Sequence, residues 1–311
     1  MFVIKYRKIF YIASIILTVA SLLSLSVWGL RPGIDFSGGS IIDISYPSDR
    51  PDQATVESAL KLIDPAVSVR PSIGKDGEQK FVVRMKAIDQ NEKGKVLEAL
   101  MIGENIASSG ASTTQPVINS FDSIGPVLGA EALRKAYISI LLVIIGIVLF
   151  ITFAFRKVSE PVSSWKYGLT AIVALVHDVI IPAGVFSVLG HYAGYEVDTL
   201  FVTALLVVLG FSVHDTIVVF DRVRENLKNS SSNKQFSEIV GESISQTFTR
   251  SINTSMTTLL ALVVLYILGG SSTEHFTLVL IVGIAVGTYS SIFIGSPLLV
   301  TLEKLQKKSK S

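Results

Sequence analysis

The sequence predicts an α-helical polytopic membrane protein with six transmembrane helices and one extracytoplasmic α+β domain. The chain of 311 residues is 49% hydrophobic and only 17% charged, with a mean hydropathy of +0.55. Soluble domains are more polar than this, and six separate apolar runs are long enough to cross a bilayer. A stretch of about 100 residues with ordinary soluble composition separates the first run from the other five.

The first apolar run, residues 9–30, follows a cluster of three cations at residues 5–8. A cleaved signal peptide has a shorter apolar region and a cleavage site of small residues, whereas this run ends at Trp28 and Leu30. We therefore expect residues 1–32 to form a retained transmembrane helix.

Residues 33–133 have the pattern of a folded domain. Alternating apolar residues predict strands and helical periodicity predicts helices, in the order strand 40–46, helix 52–63, strands 66–71 and 79–86, helix 91–101 and strand 115–121. Asp52 is placed to cap the first helix. The order βαββαβ is that of the ferredoxin-like fold. The carboxylates lie on predicted helix surfaces and no histidine precedes His177, so we expect a contact domain and not an enzyme.

Five further spans are predicted at residues 137–155, 167–189, 199–220, 251–268 and 276–299. They form a five-helix bundle over 134–302, followed by a basic cytoplasmic tail at 303–311. Lysine and arginine near short loops remain cytoplasmic. The basic clusters at 5–8, 156–166, 222–250 and 304–310 fall on one side, and the short loops 191–198 and 269–275 on the other side have none. Both termini are therefore expected in the cytoplasm, with residues 33–133 outside.

The connector between the fourth and fifth spans predicts a short amphipathic helix. Its apolar face consists of Phe236, Ile239, Val240 and Ile244, opposite serine and glutamate side chains. Such a helix suits the cytoplasmic membrane surface. A solvated connector is the alternative.

The fourth span carries the strongest functional signal, because His214 and Asp215 are its only ionisable residues between 199 and 220. A carboxylate within a bilayer costs about 2.5–3.5 kcal/mol on insertion scales, so it normally faces a bundle interior or a wet cavity. Asp215 is therefore a candidate for ion coupling. His214 points about 100° away from it, which indicates a different role. The alternative for Asp215 is an acid that only holds two helices together.

Arg250 and Asn253 begin a polar stripe on the fifth span that continues with Thr254 and Thr257. Counting residues from the outer ends of the two helices places Arg250 within one side-chain length of the level of Asp215. An ion pair between Asp215 and Arg250, with Asn253 nearby, is therefore expected. In the alternative, Arg250 extends to the cytoplasmic headgroups.

His177 and Asp178 lie midway through the third span, and Pro182 weakens that helix shortly afterwards. Two ionisable residues at this depth indicate a hydrated or tightly paired interior, so both are further candidates for ion coupling. A structural hydrogen bond is the alternative. In the sixth span a ridge of small residues, Gly283, Gly287, Ser291 and Gly295, predicts a close helix contact.

Composition argues against several other kinds of site. The chain has no cysteine, so disulfides, thiol nucleophiles and thiolate metal sites are impossible. The net charge is only +2 and the cations are scattered, so nucleic acid is not an expected partner. The two histidines in apolar runs have no neighbouring histidine at helical spacing, which argues against a metal site, and we expect no cofactor.

Five stretches together resemble the SecF family of protein-export membrane subunits. They are GIDFSGGS at 33–40, SIGPVLG at 123–129, HD at 177–178, DTIVVFDRVREN at 215–226 and RSINTS at 250–255. The first two are glycine-rich turns with little specificity alone, whereas the last two, in this order, are specific. The resemblance extends from Met1 to about residue 302.

The resemblance implies half of a resistance-nodulation-division-type fold in the cell (inner) membrane. It implies an accessory subunit of the Sec translocase that, with SecD, uses the transmembrane ion gradient to promote preprotein translocation and release on the outer side. Its implied partners are SecD, the SecYEG translocon, YajC, YidC, the preprotein and membrane lipids. The proton-linked acid and arginine of the family match Asp215 and Arg250. Many members have asparagine where this chain has His214, which leaves the role of His214 and the coupling ion, H⁺ or Na⁺, open.

Two other functions are compatible with the sequence. A half-transporter of the same superfamily could export a lipid or a small molecule, although a complete pump of that type has twelve spans. A scaffold without ion flux is the other. The half-fold and its small-residue ridge predict pairing with a second six-span protein. The outer domain is expected to bind unfolded polypeptide weakly through strand edges.

Overall fold

The computed structural model describes residues 2–46, 51–73, 77–107, 116–156, 163–229 and 234–310. The chain divides into a membrane unit, Met1–Arg31 with Ala136–Ser311, and a sheet unit, Pro32–Lys135. In chain order the elements are α1 (Phe2–Lys5), α2 (Arg7–Val27), α3 (Ile34–Ser37), β1 (Gly39–Ser45), α4 (Gln53–Leu60), β2 (Ser68–Ile73), β3 (Gln79–Met85), α5 (Gln90–Ala107), β4 (Val117–Ile124), α6 (Pro126–Ala154), α7 (Ser164–Tyr192), α8 (Thr199–Asn229), α9 (Phe236–Leu268), α10 (Ser271–Ser290), a π-helical segment (Ser291–Gly295) and α11 (Ser296–Lys310).

Among the described residues, six helices are long and apolar enough to cross a membrane, which confirms the predicted number of spans. They are α2, α6, α7, α8, α9 and the continuous run from α10 through the π-helical segment into α11. The most apolar parts of α7, α8 and the last span are 50–61% buried, against 6–11% for α2, α6 and α9. Three spans therefore form the interior, and three lie around them with apolar side chains exposed, as suits lipid contact.

The prediction of a separate surface helix between the fourth and fifth spans is wrong. Residues from Phe236 onward belong to α9, a single helix of 33 residues. Its apolar residues Phe236, Val240 and Ile244 are buried in the same core as Leu209. The amphipathic pattern arises because this turn of α9 packs against protein, so the sequence alone could not distinguish it from a pattern facing lipid headgroups.

The last span changes its hydrogen-bonding pattern at Ser291–Gly295, where one π-helical turn separates α10 from α11. Pro297 follows two residues later. In a regular α-helix its ring would clash with the carbonyl of Phe293, which favours a wider turn here. Beyond it, α11 continues to Lys310, so the described part of the predicted tail is helical.

The described residues of the sheet unit form four antiparallel strands in the order β2-β3-β1-β4. In the middle of β1, Ile42 lies opposite Val83 of β3 and Phe121 of β4. The buried face of the sheet shares its core with Leu60 of α4 and Val96 of α5. This strand order with βαββαβ connectivity is the ferredoxin-like arrangement, which confirms the predicted topology.

A local signal sets the start of one helix in the sheet unit. Asp52 caps α4, because the backbone N–H of Ala54 donates to its carboxylate at 3.1 Å, as predicted. The last strand is described from Val117, and its predicted start at residue 115 lies outside the described residues.

The two glycine-rich motifs of the sequence meet each other within the sheet unit. Gly38 has a φ of +73°, and a Cβ there would lie 2.7 Å from Cα of Pro126. A Cβ on Gly129 would lie 2.8 Å from the backbone nitrogen of Gly38. Ser40 Oγ donates to Ser123 Oγ at 2.8 Å, which ties the same two segments together. Glycine is needed here for its left-handed backbone and for this close approach.

Candidate functional site: two buried acids

Asp178 lies on α7 inside the membrane unit with none of its surface exposed. Its carboxylate accepts hydrogen bonds from Ser212 Oγ of α8 at 2.5 Å and from Ser290 Oγ of α10 at 2.7 Å. The Nδ1 atom of His177 lies 2.9 Å from its second oxygen. Three interior helices therefore converge on one acid, and its hydrogen bonds offset the cost of burying it.

Asp215 lies on α8 and is only 6% exposed. One carboxylate oxygen accepts a hydrogen bond from Ser251 Oγ of α9 at 2.5 Å, and the other accepts one from Ser291 Oγ at 2.8 Å. Ser212, which binds Asp178, lies about one helical turn before Asp215 on the same helix. The two acids thus belong to one polar region of the bundle interior.

Two neighbouring serines, Ser290 and Ser291, connect the two acids to the last span. Adjacent helical residues point about 100° apart, so Ser290 reaches α7 while Ser291 reaches α8. Ser291 is also the first residue of the π-helical segment, and such segments occur frequently at functional sites. Rotation of the last span would therefore change the hydrogen bonds of both acids together.

The partners of both acids are mainly hydroxyl groups. Neither acid forms an ion pair with a described lysine or arginine, and only His177 lies within ion-pair distance of Asp178. A hydroxyl can donate to a carboxylate and can accept from a protonated acid. This cage can therefore hold either acid in either protonation state without repacking. Among the described residues, no group of three histidine, aspartate or glutamate side chains could hold a metal ion.

The predicted ion pair between Asp215 and Arg250 is not formed in this conformation. Arg250 and Asn253 are both exposed, whereas Ser251 is buried and takes the place beside Asp215. The whole stripe of Arg250, Asn253, Thr254 and Thr257 is exposed. Counting residues estimated the depth of Arg250, but the rotation of α9 directs the neighbouring serine towards the acid.

The two histidines beside the acids have opposite environments. His214 is exposed on α8, in line with its predicted offset from Asp215. His177 is buried, and its Nε2 atom has no hydrogen-bond partner in the part of the chain that the structure describes. The ring borders a groove of about 490 Å³ between α2, α7 and the last span, whose other walls include Tyr11 and Val176. His177 thus connects Asp178 to the side of the bundle.

The small-residue ridge of the last span packs within this chain, so the prediction that it needs a partner surface is wrong. A Cβ on Gly283 would overlap Cγ2 of Val208 on α8, and one on Gly287 would lie 3.0 Å from Cβ of Ser212. The prediction of a close helix contact is confirmed. This contact brings the last span near enough to α8 for its serines to reach the acids.

Sequence reasoning missed the serine partners of both acids. Ser251, Ser290 and Ser291 are three of them, and each is followed or preceded by apolar residues that hide its role. Serine is common in transmembrane helices, where it can also bond to its own backbone. The adjacent pair Ser290 and Ser291 was the one available signal, because two hydroxyls side by side serve two faces of a helix.

Comparisons with known proteins agree with this architecture. The family model described as protein export membrane protein SecD/SecF, C-terminal, matches residues 105–305. The chain is 40% identical to the protein translocase subunit SecF of Thermobaculum terrenum, with 97% of this chain and 93% of that protein covered. It is 35% identical to the subunit of the same name from Sebaldella termitidis, with 98% and 93% covered.

A solved structure is similar over nearly the whole chain. It is the crystal structure of SecDF, a translocon-associated membrane protein from Thermus thermophilus, with a TM-score of 0.76 and 29% sequence identity. The similarity covers 97% of this chain but only 38% of that longer chain.

Proposed function

Because the chain belongs to the SecF family of protein translocase subunits, we propose that it uses the transmembrane ion gradient to promote preprotein translocation and release on the outer side. The observation that carries this proposal is the hydroxyl cage around Asp215 and Asp178. A fixed ion pair to lysine or arginine would hold an acid permanently ionised. Hydroxyl partners leave each acid able to take up and release a cation, which an ion-coupled subunit requires.

Arg250 is proposed to act on Asp215 in a second conformation. Ser251 donates to Asp215 in this structure, and Arg250 is the preceding residue of the same helix. A rotation of α9 by about 100° would exchange the serine for the arginine beside the acid. The exchange would favour release of a bound proton or sodium ion, because a neighbouring cation stabilises the carboxylate. Asn253 would move with Arg250, since both belong to the same exposed face.

SecD is the proposed partner of the exposed polar face of α9. Arg250, Asn253 and Thr257 are exposed on a span, and polar groups in a membrane normally face protein or water. The similar SecDF chain is longer than this one, and this chain covers 38% of it. We propose that SecD covers this face, and that the SecYEG translocon, YajC and YidC join the assembly.

The proposed orientation has both termini in the cytoplasm and the sheet unit on the outer side of the cell membrane. The distribution of lysine and arginine among the short loops supports it. In this orientation the sheet unit could contact an emerging preprotein through the edge strands β2 and β4.

The test is export into vesicles that contain this chain, SecD and the translocon, under an imposed proton or sodium gradient. Asp215→Asn should keep the fold, because the amide is nearly isosteric, but should remove the response to the gradient. Arg250→Met should do likewise, and Arg250→Lys should keep part of it. The ion whose gradient increases export by the parent protein is the coupling ion.

Asp221→Asn is the matched control, because Asp221 lies on the same helix and pairs with Arg224 on the surface. It should respond to the gradient as the parent does. His214→Asn should also be nearly silent. If Asp215→Asn shows the parent's response, Asp215 is only a structural acid and the proposed mechanism is wrong.

A further inference from the structure

A basic pocket lies at one end of the membrane unit. It has a volume of about 260 Å³ and is lined by Ile4, Lys5, Arg7, Lys8, Ser237 and Lys304. These residues come from the N-terminal helices, from the start of α9 and from α11. The fold therefore gathers cations from opposite ends of the sequence around one concave site.

The cations of this pocket have no anionic partner among the described side chains. None of Lys5, Arg7, Lys8 and Lys304 forms an ion pair with a described carboxylate. Arg7 donates to the carbonyl oxygen of Ile4 at 3.4 Å, a neutral acceptor. Four like charges around one cavity repel each other, so an anion bound among them would be stabilised by all four.

The pocket is built on ordered elements of the fold. Ile4 is buried in the apolar core of the membrane unit and so anchors α1. Ser237 is the second residue of α9, whose N-cap residue Gln235 makes no side-chain capping bond. The first N–H groups of a helix attract anions. This helix end therefore adds neutral N–H donors to the cationic side chains, beside the Ser237 hydroxyl, which donates to Oε1 of Gln235 at 3.5 Å.

The position of the pocket indicates which anion it takes. α2 begins at Arg7, and Lys304 lies near the end of the last span, so the cations lie at the level where spans leave the membrane. Phe2 and Ile9, in the same N-terminal helices, are 64% and 61% exposed. Exposed apolar side chains beside a basic site suit a ligand with acyl chains, whereas a free phosphate would make no use of them.

We propose that this pocket binds the phosphate group of an anionic phospholipid. Basic pockets between transmembrane helices recognise such headgroups, since several cations can share one phosphate. Bound there, the lipid would hold the N-terminal helices, α9 and α11 together. Because α9 also carries Ser251 and Arg250, the lipid would stabilise one rotational position of that helix. Only the assignment to the cytoplasmic leaflet rests on the proposed orientation.

The test measures binding of dioctanoyl phosphatidylglycerol to the purified full chain in a neutral detergent by isothermal titration calorimetry. Dioctanoyl phosphatidylcholine and inorganic phosphate are titrated in parallel. The test variant is Lys8→Gln/Lys304→Gln, in which both side chains are exposed and no packing is lost. The control variant is Lys228→Gln/Lys234→Gln, which removes the same charge from exposed positions outside the pocket.

The parent should bind phosphatidylglycerol in preference to the other two probes. Each cation near an anionic lipid contributes about fivefold in affinity, so the test variant should bind about thirtyfold more weakly and the control less than twofold. Equal weakening of both variants would mean diffuse surface attraction and would overturn the site. Equal affinity for phosphatidylcholine would also overturn it, and equally tight binding of inorganic phosphate would replace the lipid by a soluble anion.

Discussion

Gly283→Ala tests the close approach of α10 to α8 that brings the serines to the acids. The added Cβ would overlap Cγ2 of Val208 and lie 2.8 Å from its Cγ1. Carbon atoms pack at about 3.5–4.0 Å, so either Val208 or the helix must move. Overpacking of this kind costs about 1–3 kcal/mol. We expect the free energy of unfolding to fall by that amount, although alanine is the better helix former.

The same substitution should weaken the site. Ser290 lies about two turns beyond residue 283 on the same helix, and its hydroxyl is 2.7 Å from the carboxylate of Asp178. A displacement of α10 by about 1 Å would lengthen this contact beyond normal hydrogen-bond distance. Export driven by the ion gradient should therefore decline together with stability.

Val208→Ala provides the rescue, because it removes the two γ carbons nearest to the new Cβ and leaves only the Cβ of residue 208, 3.1 Å away. Alone it should destabilise the protein by creating space, whereas in the double variant the two changes should compensate. Unfolding in mixed micelles with increasing dodecyl sulfate, followed by circular dichroism, measures all three variants.

The matched control is Gly210→Ala on α8, where a Cβ would meet no atom of the described residues within 4 Å. It should leave stability unchanged or raise it by up to about 1 kcal/mol. The reasoning is refuted if Gly283→Ala is as stable as Gly210→Ala. It is equally refuted if the coupling between positions 283 and 208 is below about 0.5 kcal/mol.

Two further predictions concern the sheet unit. Burial raises the pKa of Asp43, and Lys80 opposes this only in part. Because the folded-state pKa lies above that of the unfolded chain, stability is lost as pH rises through the folded pKa. Asp43→Asn should therefore raise the melting temperature of the sheet unit at pH 7 but not at pH 3. Circular dichroism of the full chain measures this melting temperature. An equal increase at both pH values would contradict the prediction. Gly38→Ala combines a left-handed backbone with a contact to Pro126. Its melting temperature should therefore be lower than that of Gly77→Ala, where φ is +80° but no described atom lies within 4 Å. Equal melting temperatures would show that the contact is unimportant.

The spacing of apolar residues along the sequence was sufficient to predict most of the fold. Apolar runs determined the number of spans, and the alternation of strands and helices determined the ferredoxin-like topology, because both depend on residues close together in the chain. The acids Asp178 and Asp215 could also be selected as candidates, since an ionisable residue in an apolar run is exceptional by itself. The prediction of a surface helix in the connector failed, because an apolar helix face has the same sequence pattern whether lipid or protein covers it.

Only the tertiary structure decided what surrounds the acids. Ser212 binds Asp178 from 34 residues away and Ser290 from 112, while Ser251 and Ser291 bind Asp215 from 36 and 76 residues away. Counting along a helix gives the depth of a residue in the membrane, but the partner also depends on rotation about the helix axis and on which helices pack together. Close packing of the glycine ridge on α8 brings Ser290 and Ser291 to the acids, and the rotation of α9 directs Ser251 instead of Arg250 towards Asp215.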